Sequence, residues 1–167
     1  MKGVVEMGYI HCERSERNKN PINLHDCKAG RAYFKDSVLG FEFVDGFWIT
    51  PDHPESNLDT FVKTDASKVE FELFDGEERD VTIYVYEKNV FNQTVRNEWS
   101  IDKLVQSINS GKYVLTFLNK YVDGYSSIVE CVLESQEKPY ISIECTMKLY
   151  EIDVYYYWNK ILEDRVW

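Results

Sequence analysis

The stretch Tyr140–Trp158, YISIECTMKLYEIDVYYYW, constrains the fold more than any other part of the chain. Ile141, Ile143, Cys145, Met147 and Leu149 are apolar at every second position, with Ser142, Glu144, Thr146 and Lys148 between them. From Tyr150 the phase reverses: Tyr150, Ile152, Val154, Tyr156 and Trp158 alternate with Glu151, Asp153, Tyr155 and Tyr157. Alternation with a period of two marks a strand with one buried face. A one-residue slip sends all later side chains to the opposite face, so a β-bulge or sharp bend is expected near Leu149–Tyr150. Fully extended, the stretch would run roughly 60 Å at about 3.3 Å per residue. That is longer than a compact domain of this size is wide. It reads as two strands, or one strongly bent strand, at the heart of a sheet.

Three Asp-Gly pairs mark turns around which further strands are expected. Asp45-Gly46 is predicted to join Phe41–Val44 to Phe47–Thr50 as a type I′ hairpin, because Asp-Gly tolerates the positive φ angles such a turn needs. Lys68–Phe74 is predicted to pair with Val81–Glu87 across the acidic turn 75–80, and the strands on either side of Asp123-Gly124 to pair with each other. One segment has a full helix signature. Ser100 is its N-cap, Trp99 and Leu104 form a hydrophobic staple, and Asp102 sits in the first turn. Ile101, Leu104, Val105 and Ile108 make one apolar stripe, and Gly111 ends it.

Weaker patterns suggest a first strand over 3–10, a loop with one helical turn over 12–30 opened by Asn20-Pro21, and a short helix at Leu58, Phe61 and Val62. Residues 88–98 read as a loop, and 159–167 as a helical turn burying Ile161, Leu162 and Val166. The expectation is one α+β domain over 1–167: a mostly antiparallel meander of hairpins with a bent C-terminal strand, and one main helix at about 100–110 packed on it.

Composition agrees. The chain is 44% apolar and 15% aromatic, with 12 Tyr and 9 Phe, which suits a folded, β-rich domain. Its net charge is −10, and the excess is uneven: residues 37–167 carry 12 Lys/Arg against 24 Asp/Glu. Such a field repels nucleic acid and anionic membrane and attracts basic partners. The start of the chain has no apolar signal-peptide core, and no 18-residue apolar run occurs, so a cytoplasmic protein with free thiols is expected. Cys131 and Cys145 fall on consecutive strands as inward-facing neighbours.

Candidates for chemistry are few. His11-Cys12 and His25-Asp26-Cys27 offer metal-type ligands, but their spacing matches no closed zinc pattern, and on a strand His11 and Cys12 point to opposite faces. The same pairs lack any nucleophile signature, and the glycine-rich phosphate loops and zinc-protease motifs are absent from the sequence. His53 reads as a loop histidine. No cofactor, metal or catalytic role is expected. What remains is surface: Asp75, Glu77, Glu78 and Asp80 at one turn, Tyr84 and Tyr86 on one strand face, and Glu151, Asp153, Tyr155 and Tyr157 on another. Rigid, amphipathic Tyr beside carboxylates suits protein contacts.

The pattern predicts an acidic protein-binding inhibitor, of the kind represented by immunity proteins that neutralise a basic, nuclease-type bacterial toxin domain. The alternatives are a phage-type inhibitor that mimics nucleic-acid charge, and a small-molecule-binding or enzymatic domain. The first would line its carboxylates along one face, and the second would hold a deep aromatic pocket.

Overall fold

The computed structural model describes residues 8–15 and 21–167. In chain order it contains β1 (His11–Arg14), β2 (Ile22–Asn23), β3 (Lys28–Ala29), β4 (Arg31–Lys35), β5 (Val38–Phe43), β6 (Trp48–Ile49), β7 (Val62–Thr64) and β8 (Ser67–Leu73). There follow β9 (Val81–Lys88), β10 (Thr94–Trp99), α1 (Ile101–Asn109), β11 (Tyr113–Asp123), β12 (Ser126–Ser135), β13 (Ser142–Trp158) and β14 (Ile161–Val166).

The predicted organising stretch is one 17-residue strand, β13. Its odd residues from Ile143 to Glu151 face inward, and its even residues from Val154 to Trp158 take over. The slip is a bulge at Ile152, where the register with β8 shifts between Glu151 and Asp153. It lies a few residues beyond the expected Leu149–Tyr150, because Tyr150 stays outside and Glu151 stays inside.

The expected antiparallel meander of hairpins closes on itself as a six-stranded barrel. Around the wall run β4, β5, β8, β13, β12 and β11. Closure comes from the strand that turns at Gly30. Lys28 and Ala29 pair with β11, Arg31–Lys35 pair with β5, and the Gly30 N–H donates to the Glu42 carbonyl at 3.1 Å between them. Alternation cannot distinguish the buried face of an open sheet from the inward face of a barrel, since both repeat every two residues.

Two predicted hairpins fail in informative ways. Gly46 adopts φ +74° and its N–H bonds the Phe43 carbonyl, so the Asp-Gly turn forms. The chain then leaves the barrel: β6 pairs with β2 and β7 in a second, four-stranded sheet, β14-β7-β6-β2. A side chain at 46 would meet the Thr64 carbonyl oxygen at 2.2 Å, so the close approach of β7 also demands glycine. Likewise β8 and β9 do not pair with each other. Both pair with β13, Leu73 opposite Glu151 and Val81 opposite Leu149, so they follow one another along its edge. Residues 74–80, which end in a single 3₁₀ turn at Glu78–Asp80, connect them. The Asp123-Gly124 hairpin is as predicted, with Asp123 opposite Ser126.

Helix α1 also matches its signature. Ser100 Oγ accepts the Lys103 N–H at 3.2 Å, Ile101, Leu104 and Ile108 are buried, and Gly111 takes φ +77°. Its Asn109 amide bonds both the N–H and the carbonyl of Ala32, at 2.9 and 2.8 Å, and so substitutes for a further strand beside β4. The weaker patterns fold differently from the expectation. The segment containing Leu58 and Phe61 is turns leading into β7, residues 94–99 form β10 paired with β9, and the 159–167 segment contains β14 with Val166 exposed. No helix occurs among the described residues of 12–30; the 3–7 part of the expected first strand and Asn20 lie outside the described residues.

Much of the barrel interior is aromatic. Phe41 meets Phe71 and Phe117 edge-on, with centroids 6.2 and 5.2 Å apart; Phe43 meets Phe117 and Phe47; Phe47 meets Tyr156 and Trp158. Such pairs add about 0.5–1.5 kcal/mol each beyond the area they bury. Cys131 and Cys145 are cross-strand partners, as expected, buried with free thiols. Burial pushes the Cys145 thiol up to about 12, so it stays protonated and behaves as a small apolar group. No helix of the described residues is long and apolar enough to cross a membrane.

Candidate partner-binding surfaces

The acidic loop between β8 and β9 is partly structural. Asp80 is buried and accepts the N–H groups of Asp75 and Glu77, at 2.8 and 3.3 Å, which holds the loop in shape. Asp75 and Glu77 both pair with Arg79, and Glu78 points to solvent. Tyr84 and Tyr86 do share the outer face of β9. Glu98 lies opposite Tyr84 and Glu144 opposite Tyr86, while the Arg96 guanidinium stacks 4.5 Å from the Tyr84 ring centre.

The predicted grouping of Glu151 with Asp153, Tyr155 and Tyr157 is broken by the bulge. Glu151 points into the barrel, where its carboxylate takes Lys120 Nζ at 2.5 Å and the Ser127 hydroxyl at 3.1 Å. Asp153, Tyr155 and Tyr157 stay outside. Asp153 accepts both arms of Arg14 at 2.6 Å. Tyr33 and Lys68 both donate to Glu70, Lys68 at 2.8 Å, and the Lys68 ammonium lies 4.4 Å from the Tyr157 ring centre. Tyr33 lies flat across Gly40, where a Cβ would stand 2.1 Å from its Cζ. Burial raises the pKa of Glu70, but the donors Lys68, Tyr33 and Tyr157 outweigh burial and hold it below the ordinary carboxylate value. This cluster is closed on itself.

A second aromatic cluster forms around Trp167, from residues far apart in the chain. Trp167, 59% exposed, packs on Trp48 and Phe61 at 5.2 and 5.7 Å, and its ring stacks on His25 at 5.8 Å. The segment is held by the Trp167 N–H to the Phe61 carbonyl and by β14 pairing with β7. Between Leu162 and Val166 the register slips, which puts Glu163, Asp164 and Arg165 in solvent beside the cluster. Asp26 flanks His25 at 3.6 Å, and Asp59 precedes Phe61 by two residues, exposed. Read as a helical turn, this tail put no aromatic face together. The sole hint was four apolar residues, Ile161, Leu162, Val166 and Trp167, around a polar EDR insert.

The histidines hold structure. His53 is buried, accepts the Glu55 N–H on Nδ1, and therefore donates from Nε2 to Glu13 at 2.6 Å. His11 stacks on Trp158 while Cys12 faces the other way, as strand geometry requires. His25 Nδ1–H donates to the Leu118 carbonyl at 2.7 Å. Among the described residues no three His, Cys, Asp or Glu side chains converge as metal ligands. Beside His25, at the mouth of the barrel, a half-open cavity of about 390 Å³ is lined by Asn23, Phe71, Phe117, Lys120, Tyr121 and Tyr156 among others. Compared with known proteins, the chain matches no family model, no curated protein and no solved structure.

Proposed function

We propose that this chain is an acidic binding protein that grips a basic protein partner, in the manner of an immunity protein neutralising a nuclease-type toxin domain. The reading rests first on the Trp167 cluster. A large, solvent-exposed aromatic group, held laterally by Trp48, Phe61 and His25 and flanked by Asp26, Asp59, Glu163 and Asp164, with the cations Lys63 and Arg165 among them, has the makings of an interface anchor. The net charge of −10 supplies long-range attraction for a cationic cleft built to hold phosphates. The cations Lys88, Arg96 and Lys148 interrupt the carboxylates beside Tyr84 and Tyr86, which weighs against a continuous mimic of nucleic-acid charge.

A test is capture of basic, nuclease-type toxin domains by this chain, at low and at high salt. Retention at low salt, lost in Trp167→Ala but kept in Tyr84→Ala/Tyr86→Ala, supports the Trp167 face. The reverse pattern moves the contact to the β9 face, and no retention by wild type at either salt sinks the proposal. A second reading is favoured by one observation: the Lys120–Glu151 pair lies beside the half-open cavity at the barrel mouth, a setting that suits a small amphipathic ligand. A ligand screen by thermal shift, with Lys120→Met as the control, separates the two.

A further inference from the structure

The edges of the two sheets are treated differently. The free side of β4 is covered by the Asn109 amide, and β14 carries a bulge that pushes Glu163–Arg165 outward. Such devices prevent a strand edge from recruiting another chain. Strand β10 has none of them. Its six residues, TVRNEW, contain no Pro and no register shift, and among the described residues it pairs with β9 alone.

The hydrogen-bond phase of that edge follows from the turn. The Asn89 N–H donates to the Gln93 carbonyl at 2.9 Å, which makes 89 and 93 a hydrogen-bonded pair. Such pairs alternate along an antiparallel ladder. Residues 95, 97 and 99 therefore bond to β9, and the backbone groups of Thr94, Arg96 and Glu98 point away from the sheet. A second antiparallel β10 must then match even-numbered residues with even-numbered ones. Centred on Arg96, two arginines would oppose each other; centred on Asn97, Arg96 of each copy faces Glu98 of the other. Opposite charges directly across a strand pair stabilise it, and like charges destabilise it.

We propose that β10 is the seam of a homodimer, paired antiparallel about a two-fold axis at Asn97, with two Arg96–Glu98 pairs across it. Arg96 and Glu98 are exposed and lie on the outer face of the sheet, as the pairing requires. The same register brings the β9–β10 hairpin tip, where Val90 and Phe91 are 94% and 79% exposed, alongside the start of the second copy's helix α1. The Trp167 cluster belongs to the other sheet, so the two proposals stand or fall separately.

Sedimentation of the wild-type chain from roughly 1 µM to 1 mM is expected to show a monomer passing to a dimer. Arg96→Glu and Glu98→Arg each place like charges opposite one another and abolish the shift, while the double exchange restores it. A wild type that stays monomeric, or single variants that dimerise as well as wild type, overturns the proposal. The register has its own check. In a Cys12→Ser background, Asn97→Cys is expected to form a covalent dimer under oxidised glutathione, because its copies meet across the axis at about 4.5 Å between Cα atoms. Thr94→Cys, whose copies lie about 20 Å apart along the strands, is expected not to. Cross-linking at Thr94 without Asn97 contradicts the assigned register.

Discussion

Two surfaces of this molecule contain the same ingredients, tyrosine or tryptophan beside carboxylates, in opposite states of completion. Around Glu70 the groups satisfy each other: Tyr33 and Lys68 donate to it, and Lys68 lies over Tyr157. Around Trp167 the rings support each other sideways, while Glu163 and Asp164 face water. The first arrangement stabilises the barrel wall. The second leaves a partly exposed aromatic ring and charges in solvent, which is why the partner contact is proposed there. Aromatic and acidic composition alone does not mark a binding face; what marks one is the interactions left unmade.

The largest effect that separates them is on stability. Glu70→Ala removes the acceptor shared by Tyr33 and Lys68 and is expected to cost about 2–3 kcal/mol in urea unfolding, with partner affinity unchanged. Trp167→Ala is expected to show the opposite profile. Stability falls by about 1–2 kcal/mol as three partly exposed ring contacts are lost, while affinity for the proposed basic partner falls by about 2 kcal/mol, roughly 30-fold. If each variant moved both quantities equally, the contrast between the two surfaces would be wrong.

Acidity sharpens the contrast further. Glu70 has a folded-state pKa below its ordinary value of 4.5. Its stabilising contribution is therefore present above that value and is lost as the pH falls through the lowered one. Glu70→Gln is expected to flatten this acid limb in unfolding measured from neutral pH to about pH 3. A limb as steep as in wild type would remove Glu70 from the account. The smallest effect belongs to the exposed bulge: Glu163→Gln with Asp164→Asn should leave stability within about 0.5 kcal/mol. It should slow association with the partner and reduce the salt dependence of that rate.

How much of this was legible depends on which contacts are local. The α1 cap, its apolar stripe and Gly111 are decided within a dozen residues, and all were readable. The Cys131–Cys145 pairing followed from alternation on two strands joined by a short turn. Closure of the barrel did not, because it depends on Gly30 bending one strand between two distant partners. Nor did the sequential placement of β8 and β9, since alternation gives each strand an inside and an outside but no neighbour. The bulge was foreseen, yet a shift to Ile152 was enough to move Glu151 from the outer face to the interior. Trp167 was missed because its partners, Trp48, Phe61 and His25, lie far away in the chain.

The proposed role is tested by the affinity for basic, nuclease-type domains as salt rises from about 0.1 M to 1 M, where the Debye length shrinks from about 10 Å to 3 Å. Binding at low salt is expected to weaken steadily as salt rises, to persist in Glu70→Gln and to be largely lost in Trp167→Ala. Absence of binding at low salt, or equal binding by wild type and Trp167→Ala, would contradict it.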